Sequence, residues 1–275
     1  MKFKDLLKTK LSLSIKEDLL PASYQQIGDI ILVKLKPEVR KYEKEIGMTI
    51  LDLFKSVSSV YLQESIYGKL RQPKIRHLAG KRSTITIVNE NHCKYKINIS
   101  EVMFSKGNQE EKRRIVKQIK KNEVILDMFA GIGYFTIPIA KLTNCKKVYA
   151  IDLNPESIKL LKENIKLNKV EEKVKVFLGD SKILPLSFSK KFDRILLGYL
   201  PDAEPFLKTA FSCSKKGTII HYHGISSNKG LNLISQIKKQ ARESELLVEI
   251  LNAKKIKAYA PKKEHYVIDF RVLIS

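Results

Sequence analysis

Apolar positions follow two different patterns along the chain, and the change between them lies near residue 105. Before that point, apolar residues at helical spacing are mixed with short runs in which apolar and polar residues alternate. Spacings of three and four residues predict a helix, and alternation predicts strands. The predicted elements are strands over residues 30–35, 84–88 and 94–99, a helix over 39–55 and a turn at 89–91. This mixture predicts a small α+β domain over residues 1–104.

From residue 110 onward, strand-like runs alternate with amphipathic helical segments. The predicted strands cover residues 124–129, 147–151, 174–178, 194–197 and 218–222, and the predicted helices cover 110–120, 135–141, 155–168 and 231–244. Such alternation implies right-handed crossovers and a parallel sheet. Two final strand-like runs, 247–258 and 265–273, have no helix between them and predict a terminal antiparallel hairpin. Residues 105–275 are therefore predicted to form a Rossmann-like α/β domain.

The first predicted strand of this domain ends in an acid and a glycine turn. Asp127 ends the strand, and Gly131 and Gly133 precede the next helix. Ligands of open α/β sheets bind at the carboxyl ends of strands, where glycines allow close approach and a helix N-terminus offers unpaired N–H groups. A dinucleotide fingerprint would have a third glycine at the position of Thr136, so the turn favours a nucleoside without pyrophosphate. A tight strand-to-helix turn with no ligand is the alternative.

Two further acids follow the next two predicted strands. Asp152 ends the second strand, about 20 residues after Gly131, where a carboxylate can accept both hydroxyls of a ribose. Asp180 follows the third strand and can accept from an adenine amino group, while Asp127 lies close to where a ligand ammonium would be. Each acid alone is compatible with a loop or a helix cap. Three of them at successive strand ends, behind a glycine turn, favour S-adenosylmethionine.

The fourth predicted strand ends in Gly198-Tyr-Leu-Pro201. Many amino-methylating enzymes have Asn or Asp at the first of these positions, where the side chain accepts a hydrogen bond from the target amine. Gly198 lacks that acceptor. The segment is therefore either a plain loop turn or part of a widened pocket that suits a different transfer.

The composition adds a polyanionic partner to this picture. Against 29 acidic residues the chain has 52 basic ones, a net charge of +23 that folding does not require. Nucleic acid is the commonest partner for such a charge, and a general bias toward lysine is the alternative explanation. Two basic stretches with tyrosines nearby contain the candidate RNA contacts, which are Arg71, Lys74, Arg76, Lys81 and Arg82 in the first and Lys262 and Lys263 in the second.

The same sequence argues against several other classes of protein. No segment approaches the ~20 apolar residues that span a membrane, and the N-terminus carries acids where a signal peptide has its apolar core. Cys93, Cys145 and Cys213 are widely spaced and form no CxxC pair, so neither a disulfide framework nor a metal site is expected. We expect a cytoplasmic protein with no membrane contact and no obligate protein partner.

The glycine turn and the strand-end acids, together with their neighbours, resemble the wybutosine-synthesis family of tRNA modifiers. The matching segments are Asp127-Met-Phe-Ala-Gly-Ile-Gly-Tyr-Phe-Thr-Ile-Pro138, Asp152-Leu-Asn-Pro155 and Gly179-Asp180. The tRNA guanine-N1 methyltransferases share these segments. Two segments, residues 103–113 and 198–201, are more similar to the archaeal aminocarboxypropyltransferase branch than to the N1-methylating branch. In the segment at 198–201, the N1-methylating branch usually has Asn-Leu-Pro. The resemblance extends over roughly residues 24–275.

The resemblance implies a class I methyltransferase fold, S-adenosylmethionine as group donor and tRNA(Phe) as acceptor. The 3-amino-3-carboxypropyl group would move to C7 of 4-demethylwyosine at position 37, in the anticodon region, and 5′-methylthioadenosine would leave. The implied donor contacts are Ser105, Lys112, Asp152, Asp180 and Ser181. Ser105 and Lys112 are expected at the amino-acid end, with Lys112 facing the carboxylate.

No general base is evident in the sequence. His221 and His223, at the end of the fifth predicted strand, are the candidates for accepting the C7 proton, and a structural or tRNA-binding role is the alternative. Two other functions remain open. One is a tRNA guanine-N1 methyltransferase acting at position 37, and the other is a non-catalytic RNA-binding protein with a degenerate cofactor site. The intact glycine turn and strand-end acids argue against the latter.

Overall fold

The chain folds into two compact units. The computed structural model describes residues 2–11, 15–68, 72–104 and 108–274. The first unit contains the chain up to Phe104 except Asn91–Cys93, and the second contains those three residues together with the chain after Phe104. Each unit has its own hydrophobic core.

The first unit is built around a four-stranded sheet. Its helices are α1 (Phe3–Lys10) and α2 (Glu43–Leu53), and its strands are β1 (Tyr24–Ile27), β2 (Ile30–Val33), β3 (Ser59–Tyr67), β4 (Gln72–Gly80), β5 (Ile85–Glu90) and β6 (Cys93–Asn98). The sheet has the order β1-β2-β3-β4, with β2 and β3 parallel and the other neighbours antiparallel, while β5 and β6 form a separate pair. On α2, Ile46 and Ile50 are fully buried in the core of this unit.

The sequence predicts this unit in part. The helix predicted over 39–55 is observed as α2, preceded by a 3-10 helix over Pro37–Tyr42. The β5–β6 turn lies at Asn91 and His92, later than predicted, and both residues have the positive φ that a two-residue hairpin turn needs. The periodicity does not predict β1, β3 or β4. In β3 and β4, shifts of the pairing register interrupt the alternation on which such a prediction depends.

The second unit alternates strands and helices around a seven-stranded sheet. Its helices are α3 (Gln109–Gln118), α4 (Thr136–Leu142), α5 (Pro155–Asn168), α6 (Leu207–Ser212) and α7 (Leu231–Glu243). Its strands are β7 (Val124–Asp127), β8 (Lys147–Asp152), β9 (Val174–Leu178), β10 (Phe192–Leu197), β11 (Ser214–Ser226), β12 (Leu247–Ala260) and β13 (Lys263–Ile274). The periodicity missed α6 because its six residues make less than two helical turns.

The strand order of this sheet is β12-β13-β11-β10-β7-β8-β9. The five strands from β11 to β9 run parallel, and β13 and β12 are antiparallel to their neighbours. The chain moves outward from β7 to β8 and β9 and then returns to place β10 beside β7, so the direction of winding reverses between β7 and β10. Ligands of open α/β sheets bind at such a switch point. The structure confirms the predicted Rossmann-like class and the terminal antiparallel hairpin.

The helices of both units are short. The longest one described, α5, has 14 residues, whereas a helix needs about 20 to span a bilayer. Among the described residues, none forms a helix long and apolar enough to do so.

Candidate cofactor-binding site

Asp127 lies beneath the glycine turn rather than at its surface. Its side chain is fully buried, and it accepts hydrogen bonds from the Thr136 hydroxyl at 2.7 Å and the Phe129 N–H at 3.4 Å. Burial raises the pKa of this carboxyl to about 6. These bonds join the end of β7 to the start of α4, and they favour a structural role over the predicted contact with a ligand ammonium.

The two glycines of the turn meet different requirements. Gly131 has φ +55°, donates its N–H to a carboxylate oxygen of Asp152 at 2.7 Å, and has the Tyr134 ring 2.8 Å from where a Cβ would be. Gly133 has φ +103°, and a Cβ there would come within 2.9 Å of Leu161 on α5. Gly131 therefore lies at the strand ends, and its contact with a ligand stays a prediction. Gly133 allows α4 and α5 to pack, which favours a packing role over ligand approach.

Asp152 ends β8 beside the glycine turn. Besides the Gly131 bond, it accepts from the Asn154 N–H at 2.9 Å, and partial burial raises its pKa. Asn154 in turn caps α5 by accepting from the Glu156 N–H at 3.0 Å. The N–H of Leu153 also bonds this carboxylate, which keeps acceptor capacity at the place where a ribose hydroxyl is predicted.

Asp180 and Ser181 follow the neighbouring strand, β9. Asp152 pairs with Leu178 across the β8–β9 ladder, so Asp180 lies at the same edge of the sheet as Asp152. Asp180 is exposed and accepts from the Lys182 N–H at 2.8 Å. Ser181 is buried, and its hydroxyl donates to the backbone carbonyl of Met128, directly after β7. The structure thus places the three predicted acids at the carboxyl ends of three adjacent strands.

Exposed apolar side chains stand beside these acids. Leu153, Leu178 and Ile183 are 56%, 55% and 69% exposed, although large apolar residues are usually buried. Leu153 follows Asp152 directly, and the other two flank Asp180 in sequence. Apolar walls next to hydrogen-bond acceptors suit a purine nucleoside. Sequence reasoning missed these three residues, although their positions beside the acids were a usable signal.

The end of β10 borders a cluster of aromatic rings. The Phe129 and Tyr199 rings are stacked at 5.0 Å between centroids, and Phe206 meets Phe129 edge-on at 4.7 Å. A Cβ on Gly198 would be 3.6 Å from the Phe135 ring, an ordinary contact, so the glycine is not required by packing. We call Phe129, Tyr199 and Phe206 the aromatic cluster. Its rings are only partly buried, and sequence reasoning did not single out any of them.

Lys112 on α3 reaches the glycine turn from the side. It is 3% exposed, and its Nζ lies 5.2 Å from the centroid of the Tyr134 ring, which itself packs on Gly131. Its ammonium is therefore held close to the predicted site of the donor's amino-acid end. Ser105, predicted beside it, lies outside the described residues.

His221 is part of a buried hydrogen-bonded network. Its Nδ1 bonds an oxygen of Asp269 at 2.6 Å, and its Nε2 lies 2.7 Å from Nη1 of Arg194. Because a guanidinium only donates, Nε2 is the acceptor and the ring is neutral. Burial, together with the nearby arginines, lowers the pKa of His221. With both nitrogens occupied, this ring has no free position for a substrate proton, which favours the structural alternative.

His223 has a different environment. Its Nδ1 is 3.0 Å from Nε2 of His265, and burial lowers the pKa of each imidazole to about 3. Its Nε2 has no hydrogen-bond partner in the described part of the chain, and its ring lies 5.8 Å from that of Phe135, which borders Gly198. The free Nε2 keeps His223 a candidate proton acceptor near the end of β10, although this atom is buried and the lowered pKa disfavours protonation.

The predicted RNA contacts fall into two groups. On β4, Lys74 and Arg76 form ion pairs with Glu64, at 3.6 and 3.4 Å, and Arg76 also pairs with Glu43, so much of their charge is already compensated. By contrast, four residues are exposed and form no ion pair with any described residue, namely Lys81, Arg82, Lys262 and Lys263. Arg71 lies outside the described residues. In the part of the chain that the structure covers, no group of three His, Cys, Asp or Glu side chains could hold a metal ion.

Two family descriptions match the chain in succession. The TYW2 N-terminal domain matches residues 3–84, and the TRM5/TYW2 methyltransferase domain matches residues 86–251. These two matches extend over most of both compact units.

Two curated relatives are similar over most of the chain. It is 39% identical over 257 residues to the tRNA (guanine(37)-N(1))-methyltransferase Trm5b of Pyrococcus abyssi, covering 92% of this chain and 76% of the relative. It is 38% identical over 259 residues to the tRNA(Phe) (4-demethylwyosine(37)-C(7)) aminocarboxypropyltransferase of Pyrococcus horikoshii, covering 94% and 91%. The two activities are thus represented at nearly equal identity.

A solved structure agrees with the fold. The crystal structure of Pyrococcus horikoshii TYW2 in complex with MeSAdo has a TM-score of 0.84 and 35% identity to this chain, covering 99% of this chain and 100% of that one. Profile, sequence and structure lead to the same conclusion: the chain belongs to the TRM5/TYW2 methyltransferase family.

Proposed function

We propose that this chain transfers the 3-amino-3-carboxypropyl group of S-adenosylmethionine to C7 of 4-demethylwyosine at position 37 of tRNA(Phe), with release of 5′-methylthioadenosine. The observation that carries this choice is the segment Gly198-Tyr-Leu-Pro201 at the end of β10, which has no Asn or Asp side chain to accept a hydrogen bond from a target amine. C7 is a carbon nucleophile and has no N–H to be held there. The match of residues 3–84 to the TYW2 N-terminal domain supports the same choice.

The strand-end acids supply the binding groups for the donor. Asp152 is assigned to the ribose hydroxyls and Asp180 to the adenine amino group, with the exposed apolar side chains beside them against the purine ring. Lys112 is assigned to the carboxylate of the amino-acid end, because its ammonium lies over the ring of Tyr134, which packs on Gly131. Ser181 is assigned the role of holding the loop after β9 in position, since its hydroxyl donates a hydrogen bond to the carbonyl of Met128.

The transfer forms a bond between C7 and the methylene carbon next to sulfur, and it breaks the bond between that carbon and sulfur. The electron pair stays on sulfur, which loses its positive charge, and C7 releases its proton, for which His223 is the candidate acceptor. Methyl transfer uses the same sulfonium with a different carbon in line. Positioning of the amino-acid end therefore decides which group moves. The aromatic cluster supplies the apolar surroundings that favour loss of charge.

Exposed cations and aromatic rings suit a tRNA acceptor. Lys81, Arg82, Lys262 and Lys263 are available to neutralise phosphates. The partly buried aromatic cluster can stack on a base that leaves its helical stack, as base modification requires. We therefore propose the anticodon region of tRNA(Phe) as the acceptor. The cytoplasm, expected from the sequence, stays the proposed location.

A tRNA guanine-N1 methyltransferase is the second candidate function. The nearly equal identity to Trm5b of Pyrococcus abyssi favours it. The absence of an Asn or Asp side chain from Gly198-Tyr-Leu-Pro201 argues against it. A non-catalytic RNA-binding protein is the third candidate, and the retained glycine turn and strand-end acids argue against it.

Donor labelling separates these functions. The full chain is incubated with tRNA(Phe) carrying 4-demethylwyosine or guanine at position 37, and with S-adenosylmethionine labelled either in the methyl carbon or in the carboxyl carbon. We expect the carboxyl label alone to enter the 4-demethylwyosine tRNA. Methyl label in either tRNA would overturn the proposal in favour of methylation. No label in tRNA, together with no binding of the donor by calorimetry, would support the non-catalytic function.

A further inference from the structure

The side chain of Arg114 on α3 lies between two buried carboxylates. Its guanidinium donates to Glu111 at 2.7 and 2.6 Å, and to Asp269 on β13 at 2.5 and 3.0 Å. Glu111 and Asp269 are only 1% and 3% exposed. Both contacts are bidentate, which is the arrangement that most restricts the geometry of an arginine–carboxylate pair. The pair with Asp269 therefore holds α3 at one position against the sheet.

The Asp269 carboxylate is itself fixed from the other side. Burial alone would raise its pKa, but hydrogen bonds from His221 and Arg114 outweigh burial and hold the pKa well below its usual range. His221 is bonded in turn to Arg194, and Arg194 donates to both oxygens of Glu123, directly before β7. The network thus runs from α3 through β13, β11 and β10 to the start of β7. Its members have no freedom to shift independently.

The same helix carries Lys112 on its other side. Successive residues of an α-helix are about 100° apart, so Lys112 and Arg114 point in directions about 200° apart. Arg114 meets the sheet at Asp269, whereas the ammonium of Lys112 lies over the ring of Tyr134, a residue of the glycine turn. Any rotation of α3 that moved Arg114 off Asp269 would move Lys112 away from the turn by a similar angle.

We propose that Arg114 and Asp269 are positioning residues that set the rotation of α3 and so hold Lys112 against the carboxylate of S-adenosylmethionine. This inference rests on the proposed function in one respect, the assignment of Lys112 to that carboxylate. Buried ion pairs contribute little net stability compared with apolar side chains of the same size. A network that fixes the angle of a helix is useful where the reaction depends on which bond to sulfur is in line with the nucleophile.

Two ligands that share the methylthioadenosine part test this role, and the one that lacks the amino-acid chain also has a neutral sulfur in place of the sulfonium. S-adenosylmethionine has the carboxylate, and 5′-methylthioadenosine lacks the whole amino-acid chain. For Arg114→Met we expect the affinity for S-adenosylmethionine, measured by calorimetry, to fall about tenfold. The affinity for 5′-methylthioadenosine should stay within about twofold of the unchanged protein. Lys112→Met should show the same selective loss, and the double variant should lose little more than either single one.

Arg271→Met is the matched control. Arg271 lies on β13, two residues after Asp269, and pairs with Glu249 at 2.9 Å on the exposed part of the β12–β13 ladder. The Arg271→Met variant should leave the affinities for S-adenosylmethionine and 5′-methylthioadenosine unchanged. Arg114→Lys keeps the charge without the fork of donors, so it should give a partial, equally selective loss. It also keeps the test open if Arg114→Met does not fold, which circular dichroism will show.

The outcomes that overturn the inference are distinct. Equal weakening of both ligands by the Arg114 variants would show a merely structural role and leave the assignment of Lys112 intact. Unchanged binding of S-adenosylmethionine by Lys112→Met would remove that assignment, and the inference with it. Additive losses in the double variant would mean that Arg114 does not act through Lys112.

Discussion

At the scale of single residues, neighbouring positions in one turn serve different purposes. Gly131 contributes an N–H to Asp152, while Gly133 leaves room for a side chain of α5. Asp127 and Asp152 end adjacent strands, yet one is fully buried under the turn and the other is partly exposed. Residue type alone does not separate these roles, since each pair is chemically identical.

Gly133→Ala should destabilise the fold. The substitution adds a Cβ at φ +103°, within 2.5 Å of Ile137 and 2.9 Å of Leu161, so backbone strain and overpacking combine. We expect the free energy of unfolding in urea to fall by about 2–4 kcal/mol. Gly217→Ala, with φ +89° and open space around it, carries the strain alone and should cost about 1 kcal/mol. Equal losses in the two variants would contradict the packing role of Gly133.

Asp180→Ala should weaken donor binding without loss of stability, because Asp180 is exposed. Removing a charged acceptor of a hydrogen bond should lower the affinity for S-adenosylmethionine about 10- to 100-fold in calorimetry. Asp202→Ala is the control, since Asp202 is also exposed and likewise accepts from the N–H two residues later, at 3.0 Å. If both variants bind the donor equally well, Asp180 does not contact the adenine.

At the scale of elements, the antiparallel pair β11 and β13 brings buried polar groups together across the ladder. His223 meets His265 at 3.0 Å, and His221 meets Asp269 at 2.6 Å. Both pairs are nearly inaccessible to water, so the protonation state of one partner depends on the other. The stability of this part of the sheet therefore depends on pH.

The His223–His265 pair should make the fold less stable in mild acid. Their pKa of about 3 in the folded chain is below the ordinary 6.5, so between these values the unfolded chain binds more protons and stability falls as pH falls. Each histidine lowers the free energy of unfolding by up to about 1.4 kcal/mol for each unit by which the pH falls.

We expect the unfolding free energy of His265→Gln to depend less steeply on pH between about 6 and 4. Asp127, whose raised pKa acts in the opposite direction, is present in both proteins and cancels in the comparison. Urea titrations at several pH values measure the two slopes. Parallel curves for the variant and the unchanged chain would mean that His265 is not held neutral by burial.

The tip of the β12–β13 hairpin carries two exposed cations, Lys262 and Lys263, that should contact tRNA. Replacing both Lys262 and Lys263 by Glu should weaken tRNA binding about tenfold or more in a filter assay and leave donor binding unchanged. Replacing Lys208 and Lys238 by Glu changes the net charge equally at exposed helical positions and is the control. A similar loss in both double variants would attribute the effect to net charge rather than to the hairpin.

At the scale of the whole molecule, the net charge of +23 is large for 275 residues. Folding gains nothing from it, because like charges repel in the compact state. Some basic side chains form ion pairs, as Lys74 and Arg76 do with Glu64. The basic residues of the chain still outnumber its acidic residues. A polyanionic partner accounts for that excess.

The affinity for tRNA should therefore depend strongly on salt. Each phosphate contact releases counterions, so the affinity should fall roughly tenfold or more between about 50 and about 200 mM salt. Binding of S-adenosylmethionine to the same preparation should change little, since it involves few charges. A tRNA affinity that is insensitive to salt would contradict the assignment of the charge to RNA binding.

The sequence by itself determined the order and class of the elements in the second unit except α6. Hydrophobic periodicity is a local property, so α5 is predicted and observed over the same residues, 155–168. The sequence also predicted that Asp152 and Asp180 lie at one edge of the sheet, because the carboxyl ends of adjacent parallel strands lie together. The first unit was less predictable, since register shifts in β3 and β4 interrupt the local pattern.

Only the tertiary structure decided the partners of the buried polar groups. Arg114 and Asp269 are 155 positions apart, and Arg194 and Glu123 are 71 apart, so no periodic pattern links them. For that reason the sequence offers His221 as a base, whereas the fold occupies both of its ring nitrogens. Hydrogen bonds depend on distances of about 3 Å in space. Separation along the chain carries no information about those distances once the strands have been brought together.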